Sequence, residues 1–406
     1  MIVMKQGVPG FLPSRLTEAL DARGLSQVSL AQLMGRNSST SISRWLHGEQ
    51  APEMTAVGEL SQALNLPVSY FFRPQPEHGT TPFFFRSMVA ATKTARNKAK
   101  ARLRWGQDIS LALQEVVDLP KCNVPDPIGA RDFRTLEDEV VEEAATVCRR
   151  TWGLGDGPLS DIHLRLENNG IVILHDEIGA ATMDGVSSWS HADNRSYIYV
   201  AIDKPSAVRT RFNVAHELAH IVLHRRIDQS TLTKPEDFKL IEHQAHLFAA
   251  AFLLPAESFA RELTTPTLSA FQALKARWKV AIAAMIKRCD TLGITNDEYT
   301  LRLWKHYSAR GWRTSEPLDD VIEVEEPRML SRSIRVLAEK GGWSLAQIVD
   351  SLPFAANDIE QLASLPSGFL SAAAAPVIEL PRLKTASSPP TGSAQVLNFT
   401  RRKPVA

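Results

Sequence analysis

The residues best suited to chemistry lie in Asn213-Val-Ala-His-Glu-Leu-Ala-His-Ile-Val-Leu-His224. The run is apolar and alanine-rich and reads as a buried helix carrying His216-Glu217-x-x-His220. Two histidines four apart on a helix lie about 40° apart around the axis and about 6 Å apart along it. Both imidazoles can therefore reach one zinc ion, which takes nitrogen ligands at roughly 2 Å. Glu217 follows the first histidine and points close to the same face. There it could take a proton from a zinc-bound water, the general-base step of metal-assisted peptide hydrolysis. The alternative is two core histidines with a chance glutamate between them, so a third ligand decides.

The next helical pattern supplies one. In Ile241-Glu-His-Gln-Ala-His-Leu-Phe-Ala-Ala-Ala-Phe-Leu-Leu-Pro255, Glu242, Ala245, His246, Ala249 and Leu253 share a face. Small alanines on that face let two helices approach, so Glu242 can reach a zinc held by His216 and His220. Pro255 stops the helix. The pattern resembles the ImmA/IrrE family of zinc metallopeptidases, in which an HExxH helix is followed by Glu-x-x-Ala-x-x-Phe-Ala and a Leu-Leu-x-Pro close. Here it stands as Glu242, Ala245, Phe248 and Ala249, then Leu253-Leu254-Pro255 with a close shorter by one residue. His246 departs from the family, which usually carries Asn or Asp there. It is either a partner orienting a ligand or an alternative ligand itself. His243 is expected to face solvent. His224 either touches the site or has a capping or packing role.

The elements that position this site follow from a pass along the chain. Glu137 to Trp152 and Leu159 to Asn168 read as helices. Ile171–Leu174 reads as a buried strand, and Val186–Trp189 and Ser196–Ile202 as paired strands leading into the zinc helix. An edge strand there could bind an extended peptide through its backbone. Leu268 to Leu292 and Tyr299 to Tyr307 read as further helices.

Phe11 to Phe72 reads as four or five short helices with polar starts and glycine stops at Gly24, Gly35 and Gly48. Leu30, Ala31, Leu33 and Met34 form the apolar face of the second. The segment resembles an Xre/Cro-type helix-turn-helix: Leu25-Ser26-Gln27, Leu30 to Gly35, Ile42-Ser43-Arg44-Trp45, Gly48 and Pro52 stand in family order. The turn between Gly35 and Trp45 is longer by about one residue than in common members. The resemblance implies that the third helix enters a major groove. Ser39, Thr40, Ser41, Ser43 and Arg44 are then the candidates for DNA contact, while Ile42 and Trp45 pack. A helical bundle used for protein contacts is the alternative.

Arg86 to Arg104 carries Arg86, Lys93, Arg96, Lys98, Lys100, Arg102 and Arg104 and no acid. It reads either as a solvated connector helix or as a helix brushing DNA phosphates. Ser344-Leu-Ala-Gln-Ile-Val echoes Ser29-Leu-Ala-Gln-Leu-Met, a faint repeat.

At 406 residues the chain suggests two or three domains. With 44% hydrophobic and 22% charged residues it reads as an ordinary soluble protein, and its net charge of +1 carries no global nucleic-acid signal. No apolar run is long enough for a membrane span, and Met1 to Lys5 lack a signal-peptide pattern. Cys122, Cys148 and Cys289 fit reduced thiols in a cytoplasm and no cysteine-based zinc site.

The expected fold is α+β and predominantly helical, with an all-α helix-turn-helix bundle joined to a zincin-like domain holding a small β-sheet and the HExxH helix. The expected divisions are residues 11–74, a basic connector at 75–127, the metallopeptidase-like part at 128–312, a helical segment at 326–370 and a loose tail at 371–406. What the two resemblances imply is a cytoplasmic transcription regulator that binds double-stranded DNA, expected as a homodimer, and a zinc endopeptidase that cuts a regulatory protein such as an Xre-type repressor or antitoxin. The alternative is a regulator whose zincin-like part senses a ligand or partner without turnover.

Overall fold

A computed structural model describes residues 7–79, 82–85, 92–179, 183–203 and 206–371. Met1 to Lys5, Arg86 and the tail beyond residue 371 lie outside them.

The amino-terminal bundle forms α1 (Pro13–Arg23), α2 (Gln27–Leu33), α3 (Thr40–Leu46) and α4 (Met54–Leu64). Local chemistry sets their ends. Gly24 closes α1 in the left-handed conformation at φ 63°, and Ser26 Oγ accepts from the Ser29 N–H at 3.0 Å to start α2. Leu30 and Ala31 face inward as expected, but Leu33 does not: it is 58% exposed, at the rim of the buried face of α2.

After the two-residue strand β1 (Phe84–Phe85) comes α5 (Lys93–Gln114). It is far from a solvated connector. Arg102 is buried and pairs with Asp176 at 2.6 Å and Asp358 at 2.6 Å, while Lys98 Nζ donates to the carbonyls of Glu177 and Ile178. Arg23 joins the same Asp358 at 2.6 Å. These bases are spent on the protein's own acids and carbonyls. Trp105 is fully buried beside Tyr70 and Phe354, and truncating such a ring to alanine typically costs about 3–5 kcal/mol. Gly106 is required by close approach, since a Cβ there would lie 2.1 Å from Leu174 Cδ1.

The central part runs α6 (Asp138–Thr151), α7 (Ile162–Asn168), β2 (Val172–Asp176), β3 (Gly185–Ser190), β4 (Arg195–Ala201) and α8 (Ala207–Ala219). It continues through α9 (Pro235–Leu253), α10 (Ala256–Glu262), α11 (Leu268–Trp278), α12 (Ile282–Thr291) and α13 (Asp297–Ala309). The helix expected over Leu268 to Leu292 is two helices. Lys279 takes a left-handed conformation at φ 51°, and its carbonyl accepts from Arg211 Nε at 3.1 Å. The last described helices are α14 (Met329–Glu339), α15 (Leu345–Ser351) and α16 (Ala356–Leu362). Ser344 is the N-cap of α15, whereas Ser29 lies inside α2, so the two similar phrases occupy different positions in their helices.

The four-stranded sheet has the order β1-β3-β4-β2. β2 pairs with β4 in parallel; β4 with β3 and β3 with β1 are antiparallel. The strand over Ser196–Ile202 is thus an inner strand, and the edge lies beyond β3. The sheet divides two cores by strand alternation. Val172, Leu174, Tyr197 and Tyr199 face a core shared with the amino-terminal bundle, α5 and α14–α16. Ile171, Ile173, Ile198 and Val200 face a second core with α8, α9 and Phe84. The fold is α+β and mainly helical.

Candidate metal centre and DNA-facing helix

α8 runs without a break into a π-helical turn at His220–His224. α9 packs across it through Ala245 and Ala249, both fully buried. The crossing brings His216, His220 and Glu242 together. His216 Nε2 lies 3.2 Å from His220 Nε2, and the two stand 3.4 and 3.5 Å from the Glu242 carboxylate oxygens. A tetrahedral zinc with ligands near 2.0–2.1 Å separates its ligand atoms by about 3.3 Å. The triangle therefore fits such an ion.

Two observations sharpen the fit. Glu242 Oε1 is buried without a hydrogen-bond partner, which a carboxylate tolerates only if something else supplies positive charge. The protonation states are also those a metal needs. Burial holds His216 down to about 3, so its ring is neutral. Burial alone would raise Glu242, but its two histidine neighbours, His216 and His220, lower it well below the usual carboxylate range, so it is ionised.

A chain of hydrogen bonds orients His220. Gln244 Nε2 donates to the Phe133 carbonyl at 2.7 Å, so its Oε1 accepts from His224 Nε2–H at 2.9 Å. His224 Nδ1 is then bare and accepts from His220 Nδ1–H at 3.1 Å. This assignment, inferred from the network, leaves the lone pair of His220 Nε2 aimed at Glu242. The sequence pattern left the role of His224 open and did not point to Gln244 at all. No motif spacing relates His224 to a glutamine 20 residues on.

His246 Nδ1 bonds the Glu242 carbonyl at 2.8 Å, and its ring stands 4.6 Å from that of His216. One ligand atom each from His216, Glu242 and His246 fall within 4.8 Å of one another. Both expected roles of His246, orienting partner or ligand, are compatible with that position. His243 is exposed and pairs with Asp138 at 2.9 Å.

Glu217 is almost fully buried, and its Oε2 accepts from Ser187 Oγ at 2.7 Å. Gly185 makes the space: a Cβ there would come 3.1 Å from Glu217 Oε1. A cavity of about 740 Å³ adjoins the site through Phe212, Asn213 and His246. Its lining also includes Arg209, Lys287, Arg313, Tyr307 and Trp312.

In the amino-terminal bundle, Thr40 and Arg44 on α3 are exposed. Ser39, Ser41 and Ser43 are half-buried; Ser41 Oγ accepts from Arg36 at 3.3 Å, and Thr40 and Ser38 hydroxyls lie 2.7 Å apart. Ile42 and Trp45 are buried.

Among the described residues, no helix is long and apolar enough to cross a membrane. Comparison with curated proteins gives no match. Residues 16–71 match the helix-turn-helix family HTH_3, and residues 166–290 match Peptidase_M78, the IrrE N-terminal-like domain. The chain thus joins an Xre-type helix-turn-helix to a domain of the ImmA/IrrE metallopeptidase family.

Proposed function

We propose that this protein is a DNA-binding transcription regulator whose second domain is a zinc-dependent endopeptidase acting on a regulatory protein, such as an Xre-type repressor or antitoxin. His216, His220 and Glu242 would hold the zinc, with His246 beside them. The observation that carries the reading is the triangle of ligand atoms 3.2–3.5 Å apart with a buried glutamate next to it. When bound, zinc supplies a Lewis acid that acidifies water and polarises a carbonyl. Glu217 then acts as general base, taking the proton from the attacking water and returning it to the leaving amine. Ser187 holds one oxygen of that carboxylate by donating to it. Exposed Thr40 and Arg44 on α3 support contact with a DNA groove and its phosphates.

The cavity beside His246 favours a second reading, in which a small anionic or aromatic ligand is sensed next to the metal. Glu217→Gln separates the two. The amide keeps the shape but cannot accept the proton. Under the peptidase reading the variant keeps zinc and DNA binding and loses processing of the repressor on an immunoblot. Unchanged processing and unchanged promoter control in the variant would leave only the sensor.

A further inference from the structure

The outer edge of β3 lies beside Glu217, and that edge is covered. Phe84 pairs with Ser187 and Phe85 with Val186, antiparallel. Ser187 is the residue that donates to Glu217. Directly opposed residues in a sheet project to one face, so Phe84 points where Ser187 points. Its ring stacks on the imidazole of His220 at 4.5 Å with 4° between planes, and lies 5.9 Å from His224. It is only 3% exposed. Phe83 projects the other way, into the side chains of Lys100 and Arg104, each 5.1 Å from its ring. The Phe83 N–H donates to Gln229 Oε1 at 2.9 Å. Upstream, the His78 carbonyl accepts from the His191 N–H at 3.0 Å, just past the far end of β3.

Backbone pairing to a sheet edge is a general way to capture an extended peptide, with alternate side chains seated in pockets. All the parts are present: a strand whose edge is covered over only two residue pairs, a slot floored by His220 and walled by His224, and an aromatic side chain filling it. We propose that the β3 edge is a peptide-strand site selective for an extended segment bearing an aromatic residue opposite Ser187, and that Pro82–Phe85 is its resident occupant, which an incoming polypeptide must displace. The strand site stands on geometry alone; calling the incoming chain a substrate rests on the peptidase reading above. α5, whose Lys100 and Arg104 lie over Phe83, also packs on α1, with Asn97 donating to Asp21 at 3.0 Å.

The test uses the full chain carrying Glu217→Gln, so that no cutting confuses binding. The probe is a fluorescein-labelled peptide with the sequence of residues 78–85, followed by anisotropy. In that background binding should be weak, and adding Phe84→Ala should tighten it at least tenfold by vacating the slot. A peptide with serine in place of the Phe84 equivalent should lose that gain. Phe83→Ala, which loosens the anchor and leaves the slot residue intact, gives a second arm with the same sign and a smaller effect, and decides the matter if the Phe84 variant does not fold. Equal affinity in the parent and the folded variants, or equal binding of the serine peptide, overturns the proposal. If wild type cuts nothing yet these affinities differ as stated, only the peptidase reading fails.

Discussion

Two clusters in this molecule combine histidine with carboxylate at ligand-like distances, and they differ in what their lone pairs are doing. One is His216, His220 and Glu242. The other is Asp161, His163 and Glu325, whose ligand atoms also lie within 4.8 Å of one another. In the second cluster the donors are already spent. Glu325 takes the Arg211 guanidinium, the Ile162 N–H at 2.8 Å and His163 Nδ1 at 3.3 Å. His163 Nε2 meets His175 Nε2 at 2.9 Å, and Asp161 caps α7 by accepting from the Leu164 N–H at 3.0 Å. That network brings its own cation. In the first cluster a carboxylate oxygen and His216 Nδ1 are buried without partners, and among the described residues no arginine or lysine pairs with Glu242. Proximity of ligand types therefore marks both places, but only unspent acceptors without a resident cation mark a place for a metal.

The contrast can be broken most severely at His220. His220→Ala should take zinc from one ion per chain to nearly none by elemental analysis, since one imidazole and a carboxylate make an incomplete site. Full stoichiometry in that variant would remove the assignment. Glu325→Gln should do the reverse, leaving zinc unchanged and costing about 3–5 kcal/mol in denaturant unfolding, because it strands the buried Arg211 charge. Loss of metal with intact stability would show that the two clusters have been given each other's roles.

A subtler effect is expected at Gln244. Gln244→Ala removes the acceptor that fixes His224 and, through it, the tautomer of His220. Zinc affinity in competition with a chelator should fall about 10–100-fold, the usual effect of losing such an outer partner. An unchanged affinity would mean that the relay only packs.

The smallest effect concerns pH and the second cluster. Burial, and next the charge of His163, hold His175 down to about 3 from an ordinary 6.5. The unfolded chain thus binds the proton first, and the contribution of His175 is fully present above about 6.5. It is lost progressively as pH falls from 6.5 toward 3. Between pH 6.5 and 5 the loss is about 2 kcal/mol. His175→Asn should flatten that limb of the curve of stability against pH. A variant as acid-sensitive as wild type would contradict the buried neutral ring.

How much of this was legible in the sequence depends on range. His216, Glu217 and His220 are local, and Glu242 sits in a second local pattern, so spacing alone could put both on facing helices. The helix-turn-helix was legible for the same reason: Gly24, Ser26 and the inward Leu30 and Ala31 are short-range signals. Elements decided by distant partners were not. α5 runs on to Gln114 and is buried because Asp176 and Asp358, far along the chain, receive Arg102. Its row of bases read as a solvated face. The break at Lys279 carries no glycine or proline to announce it. β1 was invisible, since Pro82-Phe83-Phe84-Phe85 has no alternation until β3 and α5 assign its two faces.

The expected difference in metal occupancy between the two clusters is tested most directly by an anomalous difference map at the zinc edge. Crystals of the zinc-loaded protein should show one strong peak within about 2.0–2.2 Å of His216 Nε2, His220 Nε2 and a Glu242 carboxylate oxygen, and nothing at Asp161, His163 and Glu325. A peak at the second cluster, or none at the first, would contradict it.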